Sequence, residues 1–242
     1  ILGYTDLAFS GVRDGENIED SLGQIRNASV RAKDLVRQIL TLSRSGDIVK
    51  APHRISAIIE DVMGLIKIGT PSNVRTVFTN NSGLNLVMCD QTQIHQVMLN
   101  LCANANYAMK ERGGELEISL NNDYIDSRAA TLHKVTAGEY LVITVSDTGS
   151  GMNQDIVERI FDPFFTTKSP GIGTGLGLSV VRGIILDHGG FVRVESEQEK
   201  GSRFYVYLPV YSGEEFENQE EKVYTDIPGG NERLLIIDDE HV

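Results

Sequence analysis

Cysteine is nearly absent from the 242-residue chain, with only Cys89 and Cys102 present. Both sit in apolar stretches without metal-ligand spacing, which excludes a disulfide framework and a zinc site and suits reduced thiols in a cytosol. Neither is given a catalytic role. Long apolar runs are also missing: nothing approaches the ~20 residues needed to cross a bilayer, so no membrane segment is expected in this stretch of chain. The first ten residues, ILGYTDLAFS, carry neither an initiator Met nor the charged start of a signal peptide. Basic residues are few as well. Lys and Arg number 22 against 34 Asp and Glu, a net charge of -12, whereas nucleic-acid binding rests on clustered Lys and Arg. No nucleic-acid partner is expected, and the chain reads as soluble and cytoplasmic.

What is present is an ordinary globular composition, 40% hydrophobic, long enough for one large or two small domains. Ile1, Leu2, Leu7 and Ala8 recur at helical spacing with no capping residue before them, so a helix is expected to be cut open at Ile1. Ile18, Leu22, Ile25, Ala32, Leu35, Ile39 and Leu42 follow three- and four-residue steps. That stripe suits a surface helix as well as a bundle, and the open helix before it favours a helical hairpin over residues 1–46 that needs a partner. SRSGDIVKAP, residues 43–52, reads as a linker. From about His53 to Val210 the pattern is α/β. Leu116, Ile118 and Leu120 alternate with polar residues, as do Leu141, Ile143 and Val145, and Phe204, Val206 and Leu208. Helical periodicity covers roughly 55–67, 90–111 and 176–188. The expected fold is an α/β sandwich over residues 47–212 with helices on one face of the sheet and water on the other. SGEEFENQEEK then reads as an acidic linker, taken as residues 213–231, and ERLLIIDDEHV, residues 232–242, as the first strand of a further domain.

Three stretches carry chemistry. The first is GIGTGLGLS, residues 171–179. Its glycines suit a structural loop as well as a phosphate cradle, and it matches neither a Walker A loop nor a dinucleotide fingerprint. An apolar helix follows, so the last N–H groups of the loop fall at a helix N-terminus, a natural anion site. The second is DTGSGM, where Asp147 ends a strand and Gly149 and Gly151 open a tight turn. The Asp is either an Asx turn or a selector of adenine, since a carboxylate accepts from the exocyclic amine of adenine and repels the carbonyl of guanine. The third is QVMLNLCANANYAM. Asn100 and Asn104 lie one helical turn apart on an apolar face, where each needs a partner or costs about 1–3 kcal/mol. They are a satisfied structural pair or a pair of hard oxygen ligands suited to Mg²⁺ beside a triphosphate.

These stretches, with FDPFFTTK between the second and the glycine run and GSRFYVYLP at the close, resemble the ATP-binding catalytic domain of bacterial sensor histidine kinases. The order is that of the family: asparagine box, first glycine box, phenylalanine box, second glycine box. The resemblance implies the Bergerat-type α/β sandwich with a mixed sheet, shared with gyrase B, MutL and the heat-shock 90 chaperone. It implies ATP and Mg²⁺ as cofactors, with Asn104 as metal ligand supported by Asn100. Asp147 is implied at adenine, with Ser202 helping through a water and Gly149 and Gly151 shaping the turn. Phe161 to Gly175 is implied as a mobile lid. Lys168, Gly173, Thr174, Gly175, Leu176, Gly177 and Leu178 are implied near the phosphates. Many members carry a basic residue and an Asp where Asn106 and Tyr107 stand here, which leaves Lys110 or Lys168 as substitutes for a cationic phosphate contact.

The resemblance also implies that residues 1–46 are a truncated dimerisation hairpin pairing with a second copy. LLIIDDE resembles the start of a receiver domain, with Asp238 and Asp239 helping to hold its Mg²⁺, so a hybrid kinase is expected. The phosphoacceptor stretch of the family is absent: none of His53, His95, His133, His188 and His241 has its context. The transfer is therefore expected to go to a histidine before Ile1, for relay to an aspartate of a receiver. Alternatives in the same fold are a nucleotide-gated ATPase clamp and a degenerate kinase that only docks a partner. The clamp needs a general base near the asparagine box, and His95 is expected to lie too early on its helix to share the Asn104 face.

Overall fold

The computed structural model describes residues 50–168 and 173–213, together with Thr5, Leu22, Gly23 and Ile25, which are helical. Apart from those four, the expected hairpin over 1–46 lies outside the described residues, as do the acidic linker beyond residue 213 and the receiver-like strand.

The elements alternate as the periodicity requires. Strand β1 (Ala51–Arg54) leads into helix α1 (Ile55–Gly69), then β2 (Val74–Asn80), β3 (Leu86–Cys89) and helix α2 (Gln91–Ala108). Strand β4 (Gly114–Ile125), helix α3 (Ser127–His133) and strand β5 (Gly138–Asp147) follow. The short helix α4 (Gln154–Val157), helix α5 (Gly177–Asp187) and the hairpin of β6 (Phe191–Glu197) and β7 (Gly201–Pro209) complete the fold. Five strands form one sheet in the order β2-β4-β5-β7-β6. The β2 and β4 strands run parallel and the other pairs antiparallel, so the sheet is mixed. β1 and β3 form a separate antiparallel ladder. Ala51 and Pro52, read from sequence as linker, therefore begin a strand.

The core forms because three helices turn apolar stripes onto one sheet face. Ile55, Ile58, Ile59, Val62, Met63 and Ile66 of α1, Ile94, Val97, Met98, Leu101, Cys102 and Ala105 of α2, and Val180, Val181, Ile184 and Ile185 of α5 are buried at three- and four-residue steps. They meet Leu116, Ile118, Leu141, Ile143, Val145, Phe204 and Val206 of the sheet. Strand residues of the other parity face away, and there the expectation of open water is corrected. Tyr140, Val142, Phe191 and Tyr207 form a second cluster with Ile125 and with Ala130 of α3. His133 stacks on Phe191 at 4.1 Å, and Phe191 on Tyr207 at 4.2 Å. Helix α3 thus covers part of the outer face, starting at Asp126, whose side chain caps it, and stopping at Lys134, which is left-handed with φ 56°.

This packing aims α2. Asp90 caps its N-terminus by accepting from the Gln93 N–H at 3.0 Å, and the buried stripe fixes its rotation. Thr92, Gln96, Asn100, Asn104 and Tyr107, at four- and three-residue steps on the opposite side, are left for a cleft.

Candidate functional site

That cleft, of about 1020 Å³, is walled by α2, the end of β5, the loop after it, the segment 165–168 and the start of α5. It is at the upper end of the usual range for small-molecule sites. Asn100, Asn104, Asp147, Gly151, Lys168, Gly173, Thr174, Gly175, Gly177, Leu178 and Ser202, all picked from sequence, line it together.

Asp147 is only 6% exposed. It takes the Gly149 N–H on Oδ1 at 2.9 Å and faces its register partner Ser202 across the β5–β7 ladder. Burial pushes its carboxyl above the ordinary 3.8, and backbone N–H bonds from Gly149 and Ser202 oppose the shift. Around it Met152, Ile156, Ile160 and Phe204 give the cleft an apolar wall. A buried acceptor in such a wall suits a flat base that offers an amine. Ser202 Oγ lies 3.0 Å from Ser196 Oγ. Ser196 Oγ also reaches the Gly201 carbonyl at 3.0 Å and accepts the Met152 N–H at 2.8 Å, so the hydroxyl pair is tied into the β6–β7 hairpin, and either hydroxyl can be the donor between the two.

The turn after Asp147 needs its glycines. Gly151 has φ +59°, and a Cβ there would come within 2.0 Å of the Glu197 carbonyl oxygen, so the loop can close on the β6–β7 hairpin only without a side chain. Gly175, with φ +69°, is pressed in the same way on the backbone of Phe164, 2.3 Å from a would-be Cβ. That contact brings the glycine run against the segment that precedes it.

Farther along α2, Asn100 donates Nδ2 to its own helix, to the Gln96 carbonyl at 3.0 Å. Its Oδ1 is thereby turned toward Gly177, where a Cβ would stand 2.9 Å away. No side chain caps the N-terminus of α5, so its first N–H groups are left to the cleft, as an anion requires. Asn104 Oδ1 accepts from Lys168 Nζ at 2.9 Å, and the same ammonium lies 4.5 Å from the centre of the Tyr107 ring. Burial lowers the Lys168 pKa from 10.5. Among the described residues no cluster of three His, Cys, Asp or Glu is arranged to hold a metal. The oxygens on offer are neutral amides, which fits a Mg²⁺ that keeps its waters and is carried by phosphates.

Three of the expected residues lie off the cleft lining. Gly149 is not in the cleft wall; it packs on Ala108, where a Cβ would come within 2.6 Å of the neighbouring Cβ. Phe161 packs against the core with the Arg182 guanidinium 5.7 Å from its ring. Leu176 is buried at 2% exposure, because the residue before α5 turns inward as the next ones turn out. His95 also borders the cleft, nine residues before Asn104 and so on another side of α2. Its Nδ1 lies 2.8 Å from the Gln91 carbonyl, so Nδ1 is the donor and Nε2 is left to accept. Tyr107 and Met152 also line the cleft, beyond the residues expected there, and Phe165 lines it within the expected lid segment. The four-residue steps from Asn104 back through Asn100 to Gln96 were the signal that this side of α2 continues as cleft wall. Cys89 and Cys102 are buried, with thiols pushed up by burial to about 12, which fits their chemical silence.

Residues 89–212 match the family described as histidine kinase-, DNA gyrase B-, and HSP90-like ATPase. The sensor kinase CckA of Brucella abortus (strain 2308) is 34% identical over 252 residues, covering 100% of this chain and 26% of the relative. The chain thus spans about a quarter of that relative. The catalytic domain of the histidine kinase ThkA is similar in structure, with TM-score 0.54 and 30% identity over 66% of this chain and 95% of that one. ThkA in complex with the response regulator protein TrrA gives TM-score 0.62 at 27% identity, covering 81% of this chain and 52% of that one.

Proposed function

This chain belongs to the histidine kinase-, DNA gyrase B-, and HSP90-like ATPase family, and from that premise we propose that it is the Mg-ATP-binding core of a two-component sensor histidine kinase. The observation that carries the proposal is one cleft shared by a buried carboxylate, Asp147, two amide-bearing turns of α2 and the uncapped start of α5. Asp147 accepts the adenine amine, with Ser202 helping beside it through a water. The N–H groups from Gly177 onward and the Lys168 ammonium receive phosphate oxygens. Asn104, with Asn100 behind it, offers oxygen to Mg²⁺. The ion supplies charge neutralisation on the phosphates, and the protein supplies alignment for in-line attack.

The nucleophile is a histidine outside these 242 residues. His188 is buried with both ring nitrogens engaged, His133 is stacked on Phe191, and none of the five histidines carries the acceptor context. In the intact protein the hairpin over 1–46 pairs with a second copy, and the phosphate passes to a receiver, either the chain's own or a separate response regulator. ThkA, which shares the fold, is solved with such a protein. The test is incubation with γ-labelled ATP and Mg²⁺. Nucleotide binds, and no acid-labile phosphate accumulates on the chain; acid-labile label on any of its histidines overturns the reading.

His95 favours a second reading. Its free Nε2 in the cleft can take a proton from water, as a nucleotide-gated ATPase clamp requires. Steady phosphate release by this chain, abolished by His95→Ala, supports the clamp; its absence supports the kinase.

A further inference from the structure

The turn of α2 that holds Asn104 brings no cation of its own into the cleft. Asn106 is turned away, with Nδ2 donating to Thr70 Oγ1 at 3.1 Å at the end of α1. Tyr107 is turned in and lines the cleft. The cation arrives from the other wall. Lys168 reaches across to α2 and makes two contacts there, 2.9 Å to Asn104 Oδ1 and 4.5 Å to the centre of the Tyr107 ring. The residues it touches lie three apart on one helix face, so together they define a single seat for an ammonium. A lysine has a long flexible stem, and its charge acts at one place only when something holds the head. The negative face of an aromatic ring does this without neutralising the charge, which a carboxylate would do.

We propose that Tyr107 is a positioning residue of the nucleotide site, holding the Lys168 ammonium at the phosphate end of the cleft. This rests on the Mg-nucleotide reading above. Without ligand the ammonium satisfies Asn104 Oδ1. Like charges repel, so a divalent ion on that oxygen releases the ammonium to phosphate oxygens, and the Tyr107 ring is the contact it keeps. The lid and α2 are thereby joined through one side-chain pair, and the triphosphate draws on that pair more than the diphosphate does.

Two measurements on the 242-residue chain test the proposal. The first needs no nucleotide: amines are labelled with acetic anhydride and site occupancy is read by mass spectrometry, with the exposed Lys110 as internal standard. Lys168 reacts several-fold more slowly than Lys110 in the wild type and in Tyr107→Phe, which keeps the ring, and its rate rises toward that of Lys110 in Tyr107→Ala. The second is calorimetry with Mg²⁺ and either ADP or a non-hydrolysable ATP analogue. Tyr107→Ala weakens the ATP analogue about five- to twentyfold, the range of a partly buried cation–π contact, and ADP much less. Tyr107→Phe restores wild-type binding. Tyr107→Ala has no further effect in a Lys168→Ala background, a variant that removes the same pair from the lid and leaves the packed helix alone.

Equal ATP-analogue affinity for wild type and Tyr107→Ala overturns the proposal, as does a loss in Tyr107→Phe as large as in Tyr107→Ala. If the labelling pattern holds but the wild type binds neither nucleotide, the Mg-nucleotide reading falls and the positioning role with it.

Discussion

The cost of function is concentrated at Asp147. A carboxylate 6% exposed, in a wall of Met152, Ile156 and Phe204, is ionised against the preference of its surroundings, since burial raises its pKa from 3.8. The cost of the buried charge is fully present above the raised folded value and fades as the pH falls through it. Replacing the charge should therefore separate stability from binding. Asp147→Asn keeps an oxygen for the Gly149 N–H and removes the charge, so the melting temperature of the ligand-free chain at neutral pH stays the same or rises. The variant loses a charge-assisted bond to adenine, worth about 1–2 kcal/mol more than a neutral one, or about tenfold in Kd for ATP. Differential scanning fluorimetry and calorimetry read the two quantities. A lower melting temperature with unchanged ATP affinity means that Asp147 is a structural Asx-turn residue.

The elements depend on one another through single polar groups, and His188 is the clearest case. It ends α5, donates from Nδ1 to the Ile184 carbonyl at 2.7 Å and accepts the Asp90 N–H on Nε2 at 3.1 Å. It thus ties the end of one cleft helix to the cap of the other. Burial lowers its pKa below 6.5, partly opposed by the bond to Ile184. The folded chain keeps the ring neutral while the unfolded chain takes a proton near 6.5, so this contribution is complete above that pH and is lost as the pH falls below it. Protonation also turns the Nε2 acceptor into a donor aimed at another donor. Between about pH 7 and pH 5 the wild-type melting temperature should fall more steeply than that of His188→Gln, which has a donor and an acceptor and no proton to gain. Parallel slopes would remove His188 from the acid sensitivity of the fold.

At this scale the sequence was legible where burial has a period. The stripes of α1, α2 and α5 and the alternation of Leu141, Ile143 and Val145 all name elements that exist. Helix α3 was not legible: its seven residues give too short a pattern, and its partners Phe191 and Tyr207 come from strands far along the chain. The seat of Lys168 was not legible either, because it joins residues 64 positions apart in sequence. The asparagine box and the second glycine box named their cleft residues directly, since helix spacing and glycine content report local geometry. Gly149 of the first glycine box, Phe161 of the phenylalanine box and Leu176 of the second glycine box hold the walls up from behind, and motif membership does not say which way a side chain turns.

The whole molecule makes its site and its core from the same elements. Every described group that lines the cleft falls between Thr92 and Phe204, and the buried core runs from Ile55 to Leu208. α2 presents one side to each, so the cleft cannot loosen without disturbing the core. A chain cut to residues 47–212 should therefore unfold in one cooperative transition and bind Mg-ADP within about twofold of the 242-residue chain, a difference of less than ~0.5 kcal/mol. Ligand at a hundred times its Kd adds about 2.7 kcal/mol of stability, which for a domain of this size is about 5–10 °C in melting temperature. The shift should be equal in both chains, because every described residue that lines the cleft lies within 92–204. A shift that collapses on truncation, or a tenfold weaker Kd, means that residues 1–46 or those beyond 212 contribute to nucleotide binding, and the domain boundaries must then be redrawn.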